Sequence, residues 1–191
     1  MESKQICKKC KEKDEIIKQQ QRLIDELLNH PTMLAGIRGE KLILDITQGI
    51  PTKRGTSFDL KTPSGMKVEV KYSRVTYPVI GHPCKRWVWG GLLRKKGEKD
   101  YDILVLLGEK DGKFHKFEDD GSSFVFFILT KSDVKKVIRN KKGRGNISLN
   151  LNPNPISWKS HERNLWKYRV SPKEAKKFLE SLRLQNTKGT S

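Results

Sequence analysis

The stretch Phe58-Asp59-Leu60-Lys61-Thr62-Pro63-Ser64-Gly65-Met66-Lys67-Val68-Glu69-Val70-Lys71 decides how this chain is read. Pro63-Ser64-Gly65 supplies a three-residue turn, with Gly65 suited to the left-handed conformation that such a loop needs. Strand-like segments flank it over residues 58–61 and 66–73. The turn sets the register: Thr62 opposite Met66, Leu60 opposite Val68, Asp59 opposite Glu69. Alternation then puts Phe58, Leu60, Val68 and Val70 on one apolar face, and Asp59, Glu69 and Lys71 on the other with Lys61 and Lys67. Directly opposed carboxylates repel each other, so a hairpin built for stability alone would avoid them. A divalent cation between them removes the repulsion. Mg²⁺ takes one or two carboxylates, keeps several waters and completes its shell with a substrate phosphate oxygen. Lys71 emerges on the same face, where it can orient a water and offset charge growing on a phosphate. The plainer reading is a solvated polar strand face, since Glu-x-Lys alone carries little weight; Asp59 in register is what favours chemistry.

Upstream, Asn29-His30-Pro31 opens a helix that runs to about Thr47 and stops before Gly49 and Pro51. Positions three and four residues from Glu40 are Gly36, Ile37, Ile43 and Leu44. A carboxylate on such an apolar stripe is costly unless it is paired or binds a cation. Arg38 or a hairpin lysine could serve as the partner instead of a metal. Gly36 and Gly39 lower helix propensity, which close packing on the sheet or close approach by a DNA backbone would explain. Residues 11–29 read as a charged helix with an apolar stripe of Ile17, Leu23, Ile24, Leu27 and Leu28, an arm that packs on the body or on a second subunit.

Downstream, residues 86–93, 102–107 and 124–129 are strand-like. Thr130-Lys131-Ser132-Asp133 starts a helix over 131–139, and Ser171-Pro172-Lys173-Glu174 is a capping box that opens a last helix to about Leu182. The expected organisation is an N-terminal helical arm (1–29), a main domain (30–184) and a polar tail (185–191). The fold class expected is α/β (or α+β), with a central mixed sheet of four or five strands and helices on both faces. No internal repeat is found.

Forty Lys and Arg against 22 Asp and Glu give a formal charge of +18 and a pI near 9.9. Surplus charge of this size points to a polyanion, because each phosphate neutralised releases condensed counterions. A lysine-rich lineage is the bland alternative. An anionic membrane is disfavoured, since no basic amphipathic helix with a bulky apolar face is present. The apolar runs are strand-sized and no signal peptide is read, so a cytoplasmic setting, bacterial or archaeal, is expected. Three cysteines fit a reducing compartment rather than a disulfide framework.

A helix carrying Glu40, then Asp59, nine intervening residues, and Glu69-Val70-Lys71 resembles the PD-(D/E)XK nuclease superfamily, type II restriction endonucleases in particular. The following Trp87-Val88-Trp89…Leu92 and Tyr101-Asp102-Ile103-Leu104-Val105-Leu106-Leu107-Gly108 resemble that family's later core strands. The resemblance covers about residues 31–108, with four diagnostic positions; Phe58 stands where the family name has proline. It implies a restriction-endonuclease-like core and Mg²⁺ (or Mn²⁺) held by Asp59, Glu69 and the Val70 carbonyl. Lys71 would then act on the nucleophile and Glu40 on a second metal or a water. It further implies hydrolysis of double-stranded DNA to 5′-phosphate ends by a homodimer, matching palindromic sites. A Holliday-junction resolvase or repair nickase of the same superfamily remains an alternative, as does a non-catalytic basic DNA-binding protein.

Other signals weigh less. Cys7 and Cys10 have the spacing of half a zinc site, but no second pair follows, so zinc is not expected there. The four histidines show no metal spacing. Trp87, Trp89, Trp158 and Trp166 read as core rather than as base-stacking platforms. Candidates for DNA contact are Arg74, Tyr77, His82 and Lys85, with Lys141, Lys142 and Arg144 in a basic glycine-containing loop.

The charge reading predicts that affinity for duplex DNA falls steeply with salt, with a log–log slope of about −0.9 per phosphate contacted. Fluorescence anisotropy across a salt series checks this; a flat response would leave the +18 without a partner.

Overall fold

The computed structural model describes residues 8–29, 31–53, 56–76, 85–93, 99–110, 120–138, 145–151 and 159–183. Along the chain, α1 (Lys8–Asn29) and α2 (Pro31–Thr47) precede β1 (Ile50–Pro51), β2 (Leu60–Lys61), β3 (Lys67–Ser73), β4 (Arg86–Gly90), β5 (Ile103–Glu109) and β6 (Phe124–Thr130). Then follow α3 (Lys131–Val137), β7 (Asn146–Asn150), α4 (Ser160–Trp166), β8 (Arg169–Val170) and α5 (Pro172–Ser181). The chain divides into two compact units, Met1–Arg38 and Gly39–Ser191, with the boundary inside α2 rather than before it.

The first unit is helical. Of the apolar stripe on α1, Ile17 and Ile24 are exposed, as are Ile16 and, on α2, Ile37; Gln21 bridges to Asp25 one turn on, at 3.0 Å.

The second unit is mixed α/β. Its main sheet has six strands in the order β1-β2-β3-β5-β6-β8, one or two more than expected. Only the β3–β5 pair is parallel; the others are antiparallel. The hairpin forms in the expected register, Leu60 with Val68 and Lys61 with Lys67, and Gly65 takes the left-handed φ of 88°. A hydroxyl clasp, Thr62 to Ser64 at 2.8 Å, braces the turn.

Alternation along β3 and β5 splits the core in two. Val68, Val70, Ile103, Val105 and Leu107 face a cluster completed by Ile43 of α2 and by Ala175 and Leu179 of α5. Leu104 and Leu106 face the other cluster, with Trp87, Trp89, Phe127, Val134 of α3 and Leu165 of α4. Helices therefore cover both faces of the sheet, as the sequence pattern implies. Arg183, just past α5, donates from Nε to the Ile46 carbonyl at 2.8 Å, and Gln48 ends α2 at φ 50°.

Several expectations are corrected. The 86–93 segment does not enter the main sheet; β4 pairs with β7 as a separate two-stranded sheet, and its Arg86 also bridges to Thr76. Its tryptophans explain why. Trp87 and Trp89 are buried against the sheet and donate their indole N–H groups to the carbonyls of Glu109 and Leu107, both at 3.0 Å. They are core residues, as read, whereas Trp166 is only half-buried, against Phe127 and under Arg169. Strand β7 and helix α4 carry too short a pattern to stand out in the sequence. Trp158 lies outside the described residues.

Helix α2 also sits differently. Its buried positions in this unit are Gly39, Ile43 and Thr47, four apart, so Glu40 lies one step off the buried stripe and is exposed. The close-packing explanation holds for Gly39, where a Cβ would meet Leu107 Cδ1 at 2.9 Å, and not for Gly36, which has open space around it. Phe58 lies with the tryptophan cluster rather than with Leu60, because residues 56–59 bend instead of continuing the strand.

Gly108 has the tightest surroundings: a Cβ there would meet the Trp87 ring at 2.6 Å. Gly108→Ala is expected to destabilise by about 2–3 kcal/mol through overpacking, while Gly36→Ala is expected to stabilise by up to about 1 kcal/mol. Urea unfolding of both variants checks the contrast.

Candidate active site

Strand β2 is only two residues long, so β3 loses its neighbour on that side just where its acidic and basic residues begin. Asp59 marks the point of divergence. Its N–H still reaches the Val68 carbonyl at 3.0 Å, but its carboxylate turns onto the backbone and accepts the Val70 N–H at 2.7 Å. The expected ladder pairing of Asp59 with Glu69 is thus absent; the paired residues end at Leu60. A carboxylate that caps an orphaned strand N–H replaces a carboxylate facing another across a ladder, and this avoids the like-charge opposition.

Glu69 points to the tryptophan side of the sheet, as alternation requires, and is 1% exposed. A carboxylate that deep needs counter-charge. Two ammonium groups supply it: Lys71 Nζ and Lys99 Nζ each stand 2.5 Å from the same Glu69 oxygen. Lys71 is also 4.0 Å from Asp59 Oδ2. Burial acts to lower the pKa of Lys71, but the charges of Glu69 and Asp59, the hydrogen bond to Glu69 and the charge of Glu40 outweigh it and raise the value. Lys71 is therefore held as a cation, a donor rather than a base.

Glu40 completes the group. Partial burial first, then the charge of Asp59, raise its carboxyl above the ordinary range; Lys71 opposes this and Glu69 adds to it. Glu40 thus lies near enough to Asp59, Lys71 and Glu69 to feel their charges.

The donor set is suited in kind to a hard cation: carboxylate oxygens from Asp59, Glu69 and Glu40, and the Val70 carbonyl. Since the N–H and C=O of one strand residue point to the same side, the Val70 carbonyl faces the same open edge as the N–H that Asp59 caps. Among the described residues no three Asp, Glu, His or Cys side chains form a ready-made metal cluster, and the ammonium groups occupy the Glu69 oxygen. The donors fit such an ion provided that one ammonium gives way.

The proposed DNA contacts fare unevenly. Arg74 is half-exposed and turned to Glu109, its Nε 3.4 Å from the carboxylate. Lys85 is largely buried. Tyr77, His82, Lys141, Lys142 and Arg144 lie outside the described residues, as does Cys7. Lys67 turns away from the acids to Asp100, at 2.6 Å.

Lys99 was not singled out in the sequence. It precedes β5, and only the parallel pairing of β5 with β3 carries it to Glu69. A basic run before a strand gives no sign of that on its own.

Glu69→Gln is expected to destabilise the protein by about 2–3 kcal/mol, because it leaves two partly buried ammonium groups facing each other. Added salt should recover more stability in this variant than in the wild type, and chemical unfolding at two ionic strengths tests both points.

No helix among the described residues is long and apolar enough to cross a membrane. No protein-family model matches this sequence, and no match to a curated protein was found.

Proposed function

We propose that this protein is a Mg²⁺-dependent endonuclease acting on double-stranded DNA, built on a restriction-endonuclease-like core of the PD-(D/E)XK type. The observation that carries the reading is the convergence of Asp59, Glu69, Lys71 and Glu40 at the open edge of β3. The formal charge of +18 supports a polyanionic substrate.

Asp59, Glu69 and the Val70 carbonyl would hold the cation, with Glu40 beside them. Bound there, Mg²⁺ supplies a water of lowered pKa and neutralises charge on the reacting phosphate. Lys71 contributes as an ammonium. It donates to the attacking water or to a non-bridging phosphate oxygen, so it orients the nucleophile without taking its proton. Glu40, exposed and with its carboxyl raised above the ordinary range, would hold a water at the rim and accept a proton from it. In-line attack at phosphorus would break the bond to the 3′ oxygen, which takes a proton from solvent water to become a hydroxyl, and would leave a 5′-phosphate. Two copies related by a two-fold axis would cut both strands of a palindromic site.

A second reading has one observation in its favour: Glu69 is already satisfied by two lysines. On that reading the ion cluster is structural and the protein binds DNA without cutting it.

Asp59→Ala and Lys71→Met are expected to lower cleavage of supercoiled plasmid by roughly a thousandfold, the size of effect seen when a charge-stabilising group is removed. Binding to the same DNA in Ca²⁺ should persist. Full cleavage by either variant removes the nuclease reading. A wild-type protein that binds plasmid but never nicks it in Mg²⁺ or Mn²⁺ establishes the second one.

A further inference from the structure

Two ammonium groups on one carboxylate oxygen are more than a salt bridge requires. Their circumstances differ. Lys71 lies within β3, also faces Asp59 and feels Glu40, so it remains surrounded by negative charge whatever happens to Glu69. Lys99 lies outside every helix and strand, and its described partner is Glu69 at 2.5 Å. Asp100, the next residue, is tethered to Lys67 at 2.6 Å, which keeps the backbone near the site while the side chain moves.

We propose that Lys99 is a displaceable counter-ion for Glu69: it neutralises the buried carboxylate in the metal-free protein and is expelled when a divalent cation takes that oxygen. The proposal rests on the metal-site reading above and adds a positioning residue to it. Physical necessity supports it. An isolated ionised carboxylate at 1% exposure is strongly disfavoured, so the site needs a resident positive charge before the cation arrives. A cation arriving at that oxygen meets two ammonium groups already on it and repels both; Lys71 has Asp59 4.0 Å away to turn to, whereas the described partner of Lys99 is Glu69 alone, so Lys99 is the one displaced. Lys99 therefore sets a threshold on cation binding, and once released it adds a positive charge at the rim where a DNA phosphate would lie.

The test is a Mn²⁺ titration of the DNA-free protein, with free Mn²⁺ read from its EPR signal. In Lys99→Met the apparent Kd is expected to tighten about tenfold, the ratio corresponding to one charge-assisted hydrogen bond that no longer competes. Lys99→Arg, which keeps the charge, should stay near wild type. Lys67→Gln removes an equal charge a short way along β3 and should change the Kd less than twofold. Should Lys99→Met fail to fold, Lys99→Gln takes its place in the comparison, since its amide can keep a neutral hydrogen bond to Glu69. A merely structural Lys99 would lower the melting temperature on removal without tightening Mn²⁺ binding, and that result overturns the proposal while leaving the metal site intact. Equal tightening in Lys67→Gln also overturns it, by reducing the effect to general charge. If neither wild type nor the Lys99 variants bind Mn²⁺ in a manner lost with Asp59→Ala, the metal-site reading fails and this proposal fails with it.

Discussion

A carboxylate in the middle of a buried strand constrains everything around it. Glu69 lies on β3 between Val68 and Val70, at a depth where water cannot solvate it, and positive charge brought to its oxygens stabilises it. One ammonium arrives locally, from Lys71 two residues along the same strand. The other arrives from Lys99 across the parallel β3–β5 pairing. The acid thus ties the edge of the hairpin to the beginning of β5. The neighbouring backbone contacts point the same way: Asp102 accepts the Lys67 N–H at 2.8 Å and donates its own N–H to the Lys67 carbonyl at 2.9 Å.

The early end of β2 shapes this cluster. Had β2 continued alongside β3, its backbone would have occupied the N–H and C=O groups of Val70, and the acids would have been ladder neighbours. Instead the chain bends over residues 56–59, and Thr52 donates its N–H to the Asp59 carbonyl at 2.9 Å. An uncovered strand edge is usually a liability, open to pairing with another chain. Here a capping carboxylate and two ammonium groups stand beside it, and charge of that density discourages strand addition.

The scaffold behind the cluster is rigid for separable reasons. On one face, the indole N–H groups of Trp87 and Trp89 are anchored to carbonyls of β5 and its end, and Gly108 gives the Trp87 ring room to lie against the strand. On the other, Gly39 lets α2 approach Leu107 closely enough to bring Glu40 toward the same edge. Positions that look unrelated to the acids therefore set where they stand. The order of magnitude at stake in each such contact, about 1–3 kcal/mol, is a large share of the stability of a domain of this size.

Local physics was written plainly in the sequence. The turn at Pro63-Ser64-Gly65 and the alternation of Val68 and Val70 determined the hairpin register, because a glycine able to take positive φ and a strict period of two leave one solution. The capping boxes at Thr130 and Ser171 determined where two helices begin, because a side chain three residues on satisfies the free N–H groups. Asp59, Glu69, Lys71 and Glu40 were visible as candidates for the same reason of spacing. Tertiary structure alone decided the rest: that Asp59 caps Val70 instead of facing Glu69, that Glu40 lies at the rim instead of in the core, that β4 leaves the main sheet, and that Lys99 reaches Glu69. Each of these depends on a contact between residues far apart in the chain, where pairing partners compete for the same buried groups, and no local pattern of residues encodes the outcome of that competition.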